Sequence, residues 1–280
     1  MKTGLVLEGG GMRGLYTQGV LDCMIDAGFW ADYVIGVSAG ACAGVSYVSR
    51  QRGRSYRVST TYGLDKRYLS LHSYFKTRSL FGMDFMFEEI PNRLDPFDYQ
   101  TFAENPIEFV LAVTDVLTGK PVYFGKEHLN HDSTVLRASS SIPLFSPPVE
   151  YQGGLYLDGG IADPIPVRRA LDDGCERLIV VLTRDRSYQK SPQGGRMVYR
   201  HAFRHYPQMI HALEQRHQLY NTTLQTIREL EREGVAVVIA PAEPVKISRF
   251  EQNMGKLRGL YKTGMLDAQK FLAKARPLKK

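Results

Sequence analysis

A serine flanked by glycines is the clearest candidate for a reactive group in this sequence. Residues 36–40 read GVSAG, which places Ser38 between Gly36 and Gly40. This GxSxG spacing is typical of a serine nucleophile on a sharp turn from a strand into a helix, where larger flanking side chains would clash. The serine hydroxyl would then lie at the positive end of the helix. The alternative interpretation is a serine that simply caps a helix.

A run of glycines comes before this serine. Residues 9–14 read GGGMRG and follow a short hydrophobic segment. Glycines in this position let backbone N–H groups converge on an anion at the start of a helix. The same run satisfies the GxGxxG pattern of dinucleotide-binding turns, but the acid that this motif requires near the end of the second strand is missing, since Asp32 lies at its start. A non-catalytic module that binds a nucleotide or a lipid phosphate through Gly9–Gly14 is an alternative function.

A serine nucleophile also needs a base to accept its proton. Asp158 follows a short extended segment and precedes Gly159 and Gly160, which would let its carboxylate enter a tight site. Histidine is the more common base, and His201 or His205 would fill that role in a Ser-His-Asp triad of the α/β-hydrolase type. None of the seven histidines follows a predicted strand as such a triad requires. Both arrangements remain open on these residues alone.

The elements that would position these groups alternate between strand and helix. Helices are expected at residues 13–27, from residue 39 onward and at 208–233. Short hydrophobic runs predict strands at residues 3–8, 32–37, 107–115, 121–124, 154–157, 177–183 and 235–240. This alternation predicts an α/β fold of three layers, α/β/α, with a mostly parallel central sheet and a helical C-terminal extension.

Taken together and in this order, the three motifs resemble the patatin-like phospholipase family. The resemblance covers about residues 3–183 and includes two further stretches, ASSSIP at 138–143 and DGGIADPIPV at 158–167. It implies a catalytic core over residues 1–183. Residues 184–280 would form a mainly helical extension that completes or packs on the same domain, with one further strand near 235–240. Many members carry Asn where this chain has Asp163, which would alter a contact behind the site.

The resemblance implies a lipid acyl hydrolase that acts on phospholipids or lysophospholipids through a dyad of Ser38 and Asp158, with no metal and no cofactor. It assigns binding of the tetrahedral oxyanion to Gly9, Gly10, Gly11 and Met12, support of that loop to Arg13 and Gly14, and the shape of the nucleophile turn to Gly36 and Gly40. An aspartate at its ordinary pKa is a weak base, so we expect Asp158 to be partly desolvated.

Two segments bear on a lipid substrate. Residues 80–87, LFGMDFMF, suit either a cleft for acyl chains or ordinary core packing. Residues 256–280 carry eight Lys and Arg side chains against one acid, Asp267, and their apolar residues fall near one helical face. This pattern predicts either a basic helix that contacts an anionic membrane surface or a solvated helix docked on the core by its apolar face.

The composition is that of an ordinary globular chain, with 280 residues, 43% hydrophobic and 23% charged. The formal charge of +7 leaves room for an anionic partner, but no nucleic-acid-binding motif is present, so we expect no nucleic-acid partner. The three cysteines lack the spacing of a disulfide framework or a zinc site. With no signal peptide or spanning segment in the sequence, we expect a cytoplasmic protein that contacts membranes transiently at most.

Overall fold

The fold is built on a mixed β-sheet. The computed structural model describes residues 1–68, 79–129 and 133–275. Within these ranges the strands are β1 (Thr3–Leu7), β2 (Tyr33–Val37), β3 (Glu108–Asp115), β4 (Pro121–Gly125), β5 (Val149–Tyr151), β6 (Gly154–Asp158), β7 (Arg177–Val181) and β8 (Ala236–Ile239). Their order across the sheet is β5-β6-β3-β2-β1-β7-β8, and β4 also pairs with β3. The five neighbouring strands β3, β2, β1, β7 and β8 are parallel to one another. Strands β4 and β6 run antiparallel to β3, and β5 runs antiparallel to β6.

The central strands are buried on both faces, as is usual for parallel strands covered by helices on each side. All residues of β2 are buried, and in β1 only Thr3 is partly exposed. Alternate side chains of β1 enter different hydrophobic cores, since Leu5 and Leu7 pack in one core and Val6 in another. The sheet is therefore the middle of three layers.

Helices cover both faces of this sheet. The described helices are α1 (Leu15–Asp26), α2 (Ala39–Val48), α3 (Arg54–Arg57), α4 (Tyr99–Glu104), α5 (Thr134–Ser139), α6 (Val167–Asp172), α7 (Arg196–Ala202), α8 (Pro207–Arg232) and α9 (Met254–Ala275), with π-helical segments at Val58–Tyr62 and Phe85–Leu94. Helices α1, α2 and α9 contribute to the core that contains Leu5 and Leu7. Helices α6 and α8 contribute to the core on the opposite face, which contains Val6.

Helix α9 packs closely along α1. A methyl group added to Gly264 of α9 would lie 2.1 Å from the carbonyl oxygen of Tyr16 in α1, so the two backbones touch at this glycine. The hydroxyl of Tyr16 donates to Asp267 at 3.0 Å, and the hydroxyl of Tyr261 donates to Asp22 at 2.7 Å. The apolar face of α9 is therefore docked on the core, which is the second of the two arrangements predicted for residues 256–280. Residues 276–280 lie outside the described ranges.

The predicted fold class is confirmed: the sheet is mostly parallel, helices flank it, and the C-terminal part is mainly helical. Each predicted strand is present, with its ends displaced by no more than about two residues. Strand β5 was not predicted because it has only three residues and none of them is fully buried. Strand β8, from the C-terminal extension, pairs in parallel with β7. In the described part of the chain, no helix is both long enough and apolar enough to span a membrane.

Candidate active site

Ser38 lies on the sharp turn between β2 and α2, at the carboxyl end of the parallel strands. Its backbone dihedral angles, φ 54° and ψ −124°, are strained for a residue with a side chain and typically cost about 1–3 kcal/mol. Two glycines make the turn possible. A methyl group on Gly36 would lie 2.6 Å from the backbone nitrogen of Ala41, and one on Gly40 would lie 2.5 Å from the carbonyl oxygen of Leu7. The turn holds Ser38 at the N-terminus of α2.

A buried serine supports this turn from behind. The N–H of Ser38 donates to Oγ of Ser139 at 2.9 Å, and that hydroxyl donates to the carbonyl oxygen of Ala112 at 2.7 Å. Ser139 is fully buried. It belongs to the stretch 138–143, for which the sequence suggested no particular role. Because the N–H of Ser38 is already paired, it is not free to bind a ligand.

The glycine run passes directly beside Ser38. A methyl group on Gly9 would lie 3.3 Å from Cβ of Ser38, and Gly11 has a φ of +57°, which a side chain rarely adopts. The N–H of Met12 donates to the carbonyl oxygen of Arg249 at 3.2 Å. Among the described residues, no acceptor contacts the N–H groups of Gly10 and Gly11. Of the donors predicted from the sequence, Met12 is therefore already occupied, whereas Gly10 and Gly11 are available.

The residues after this run anchor it. A methyl group on Gly14 would lie 2.8 Å from Cβ of Ala39, so this glycine lets the starts of α1 and α2 approach each other. Arg13 is buried, and its Nη1 donates to the carbonyl oxygen of Ile247 at 3.5 Å. Burial and the nearby Arg184 lower the pKa of Arg13 to about 10. Both residues support the loop, and Arg13 also lines the cleft in front of it.

Asp158 ends β6 and meets Ser38 across this cleft. Ser38 and Asp158 border this cleft together, and the Ser38 hydroxyl favours the charged form of the Asp158 carboxylate. The N–H of Gly160 donates to Oδ1 of Asp158 at 2.7 Å. The backbone of Asp158 is fixed on both sides, because its N–H donates to the carbonyl oxygen of Ser141 at 2.8 Å and its carbonyl oxygen accepts from the hydroxyl of Thr114 at 2.9 Å. The carboxylate is thus held in place next to Ser38.

Burial dominates the electrostatics of Asp158. It raises the pKa of the carboxyl above its ordinary value, while Arg216 and the hydrogen bonds from Ser38 and Gly160 act in the opposite direction. Nε of Arg216 donates to the carbonyl oxygen of Gly160 at 2.5 Å. A buried carboxylate of this kind accepts a proton more readily than an exposed aspartate does.

An apolar cavity opens on one side of Ser38. We refer to this space as the apolar cavity. The larger apolar side chains of its lining are those of Met12, Tyr68, Phe81, Met83, Met86 and Ile142. Three of these residues come from the segment 80–87, which the sequence offered as either an acyl cleft or core. Phe81 and Met83 are buried in the main core and also border the cavity, so this segment packs in the core and lines a space beside Ser38.

A polar cleft of the opposite character opens on the other side. We call it the cationic cleft, after the five cationic side chains that line it, Arg13, Arg184, Lys190, Arg216 and Arg249. Ser38 and Gly11 border both spaces, whereas Asp158 borders only the cationic cleft. Four of the five cations follow residue 183 and were not predicted as site residues, because nothing in their local spacing connects them to Ser38.

A buried carboxylate missed by the sequence analysis ties this cleft together. Glu8 accepts hydrogen bonds from the N–H and the hydroxyl of Thr183, at 2.5 and 3.0 Å, and from the hydroxyl of Tyr220 at 2.7 Å. Glu8 follows β1, Thr183 follows β7, and Tyr220 lies on α8. Helix α8 therefore contributes a side chain to the site.

The candidate histidines lie elsewhere. His201 and His205 are exposed on the segment from α7 to the start of α8. Neither borders the apolar cavity or the cationic cleft, and no other described histidine does. Asp158, in contrast, borders the cationic cleft together with Ser38.

Comparison with known proteins places the chain in a family. The family model described as patatin-like phospholipase matches residues 5–171, more than half of the chain. The chain belongs to this family. Residues 206–278 of this patatin-like protein match a second model, described only as a domain of unknown function, DUF6363. That second region contributes Arg216, Tyr220 and Arg249 to the cationic cleft.

Relatives of this patatin-like protein include bacterial and fungal chains. The uncharacterized protein YjjU of Escherichia coli (strain K12) is 30% identical over 275 residues, 96% of this chain and 76% of YjjU. Lysophospholipase nte1 of Aspergillus fumigatus is 27% identical over 188 residues, which cover 64% of this chain but only 12% of that relative. The crystal structure of VipD from Legionella pneumophila matches with a TM-score of 0.57 at 14% identity, covering 98% of this chain and 67% of VipD, and shows the shared fold. The family and the lysophospholipase relatives support a lipid hydrolase function.

Proposed function

We propose that this patatin-like protein is a serine acyl-ester hydrolase that acts on phospholipids or lysophospholipids through a dyad of Ser38 and Asp158. The observation that carries the proposal is that Ser38 and the buried carboxylate of Asp158 border the same cleft, with the Ser38 hydroxyl near enough to Asp158 to act on its pKa. Ser38 lies on a strained turn, and the N–H groups of Gly10 and Gly11, which have no acceptor among the described residues, belong to the loop that lines the same cleft. A nucleophile, its base and a set of anion donors therefore meet at one point.

The reaction needs only these groups and water. Oγ of Ser38 attacks the ester carbonyl carbon, and its proton passes to Asp158. The C–O bond to the alcohol then breaks, Asp158 returns the proton to the leaving oxygen, and the acyl group stays on Ser38. A water molecule attacks the acyl carbon, gives one proton to Asp158 and releases the fatty acid, and that proton returns to Oγ of Ser38. The cycle consumes one water per ester and requires no cofactor.

The glycine run would stabilise the negative oxygen of the tetrahedral intermediate. We assign this role to the N–H groups of Gly10 and Gly11, with Gly9 lining the same cleft beside Ser38. The loss of one such donor typically costs about 3 kcal/mol of transition-state stabilisation. Met12 is left out of the donor set because its N–H is already paired with Arg249.

The apolar cavity supports a lipid as the acyl donor. It adjoins Ser38 and is lined by Phe81 together with flexible methionines, Met83 and Met86, which adapt to irregular chains. The lysophospholipase relatives are named for a substrate of the same chemistry. An acyl chain in this cavity would bring its ester carbonyl to Ser38.

Labelling with a serine-directed fluorophosphonate probe tests this proposal. We expect wild-type protein to be labelled at Ser38, Ser38→Ala to remain unlabelled, and EDTA to have no effect. Because the reactive form of Asp158 is deprotonated, the labelling rate should rise with pH through a pKa above 3.8, the ordinary value for Asp, and then level off.

Two variants separate this dyad from the alternatives. Labelling that persists in His201→Ala and in His205→Ala is expected for the dyad, whereas its loss in either variant would indicate a triad. A wild-type protein that is never labelled and does not hydrolyse p-nitrophenyl butyrate would instead point to the non-catalytic binding module.

We further propose that residues 184–280 belong to the same functional unit and that the protein acts from the cytoplasm, with transient contact at the membrane surface. Support for the contact comes from charge alone, because the cationic side chains of α9 are exposed whereas its apolar face packs on the core. Sedimentation with anionic and with zwitterionic vesicles tests this contact, and equal recovery with both would argue against an electrostatic one.

A further inference from the structure

The two spaces that meet at Ser38 differ sharply in chemistry. The apolar cavity is lined by aromatic and methionine side chains, and the cationic cleft by five Lys and Arg side chains. Ser38 borders both, but Asp158 borders only the cationic cleft. An ester bound at Ser38 has two halves, an acyl chain and an alcohol, and the two spaces can be assigned to them.

The position of Asp158 decides that assignment. In the proposed mechanism, which this inference depends on, Asp158 returns a proton to the leaving alcohol oxygen. The alcohol must therefore lie on the side of Ser38 that Asp158 faces, which is the cationic cleft. The acyl chain takes the apolar cavity, where Phe81 and Met83 match its chemistry. The cationic cleft is thus the space in front of the leaving group.

The cations of this cleft have no acidic partners. None of Arg13, Arg184, Lys190, Arg216 and Arg249 forms a salt bridge with any described residue. Several surface arginines of the same chain do pair, as Arg52 does with Asp26. The Nε atoms of Arg13 and Arg184 are buried and have no hydrogen-bond partner in the described structure. Both side chains line the cleft, and their Nη1 atoms donate to the backbone carbonyl oxygens of Ile247 and Val245, so their positive charges have no ion pair in the described structure.

The two carboxylates in the cleft are already engaged. Glu8 accepts from Thr183 and Tyr220, and Asp158 accepts from Gly160. Five cations against two such carboxylates leave a net positive charge. Burial, and after it the charges of Arg216 and Arg249, lower the pKa of Lys190 to about 7.

We infer that the cationic cleft is a leaving-group subsite and that it selects acyl esters whose alcohol carries a terminal phosphate, such as a glycerol 3-phosphate ester. A phosphate monoester brings up to two negative charges and several acceptor oxygens to five cationic side chains that form no salt bridge with any described residue. A phosphocholine group would bring its own cation into the same cleft, where Lys190 and Arg249 repel it. Water releases the fatty acid from Ser38, and the phosphorylated alcohol leaves with the proton from Asp158.

Monomeric short-chain substrates test this inference without the surface charge of a vesicle. We expect wild-type protein to hydrolyse dihexanoyl phosphatidic acid with a kcat/KM at least about tenfold above that for dihexanoyl phosphatidylcholine, since charge-assisted hydrogen bonds discriminate on this scale. Lys190→Gln and Arg249→Gln should each reduce that preference about tenfold, mainly through KM. Arg258→Gln, which removes the same charge from an exposed position on α9, is the matched control and should keep the wild-type preference.

A second measurement on wild-type protein does not depend on how the variants fold. sn-Glycerol 3-phosphate should slow fluorophosphonate labelling of Ser38, whereas glycerol should not. Equal protection by inorganic phosphate, without a preference for phosphatidic acid, would mean that the cleft binds free phosphate and would overturn the leaving-group assignment. A preference for phosphatidylcholine, or a preference unchanged in both variants, would also overturn it.

Hydrolysis of p-nitrophenyl butyrate separates this inference from the proposed function. The ester has no phosphate, so turnover of it without a preference for phosphatidic acid rejects only the phosphate subsite. Absence of its turnover, together with absence of labelling, rejects the hydrolase function and the subsite with it.

Discussion

Asp158→Asn is expected to lower kcat for p-nitrophenyl butyrate by roughly a thousandfold or more, because the amide cannot accept the proton of Ser38. Ser38→Ala should have an effect of the same size. Asparagine is the informative replacement, since its side-chain oxygen can still accept the hydrogen bond from Gly160 and preserve the turn. Burial disfavours the Asp158 carboxylate, so the neutral amide should leave the melting temperature equal to or above that of wild type.

Asp163→Asn is the matched control for this loss. Asp163 lies five residues further along the same loop, and burial raises its pKa to about 6. Its carboxylate accepts a hydrogen bond from the hydroxyl of Tyr123 at 2.6 Å and does not border the cleft around Ser38. We expect this variant to keep most of the wild-type kcat. Substantial turnover by Asp158→Asn would show that the dyad assignment is wrong.

Gly264→Ala is expected to destabilise the fold by about 1–3 kcal/mol, because the added methyl group overpacks a tight interface. It would lie 2.1 Å from the backbone carbonyl oxygen of Tyr16, an atom that cannot rotate away. Helices α1 and α9 would have to separate, which weakens the hydrogen bond between Tyr16 and Asp267 as well. Urea unfolding measures the change as a shift of the midpoint.

Gly259→Ala provides a control of opposite sign on the same helix. No atom lies within 4 Å of the position that its methyl group would take. Alanine should therefore stabilise α9 by up to about 1 kcal/mol through its better helix propensity. Equal stability of Gly264→Ala and wild type would mean that close contact between α1 and α9 is not required for the fold.

The sequence predicted those parts of the fold and of the site that depend on local pattern. Central strands such as β2 are continuous hydrophobic runs, and their ends are marked by glycines where the chain turns sharply. Ser38 and Asp158 were identified because each lies in a short motif with its own turn chemistry. The order of the motifs along the chain indicated the family, which no single motif would have been sufficient to indicate.

The cationic cleft could not be predicted in this way. Lys190, Arg216 and Arg249 lie in a loop, a helix and a connecting segment, and only the folded sheet and helices bring them to Ser38. Their charges look like ordinary surface charges in the sequence. The pairing of Met12 was equally invisible, since its acceptor is more than two hundred residues away.

The hydrogen bond between Met12 and Arg249 also sets an order of events during synthesis. The ribosome produces the chain from its N-terminus, so Ser38 and the glycine run emerge long before Arg249. Until that residue has been made, the loop beside Ser38 lacks the carbonyl that fixes Met12, and Glu8 lacks Tyr220. A nascent chain that ends before Arg249 therefore holds Ser38 and the glycine run without the contacts that fix their loop in the finished fold.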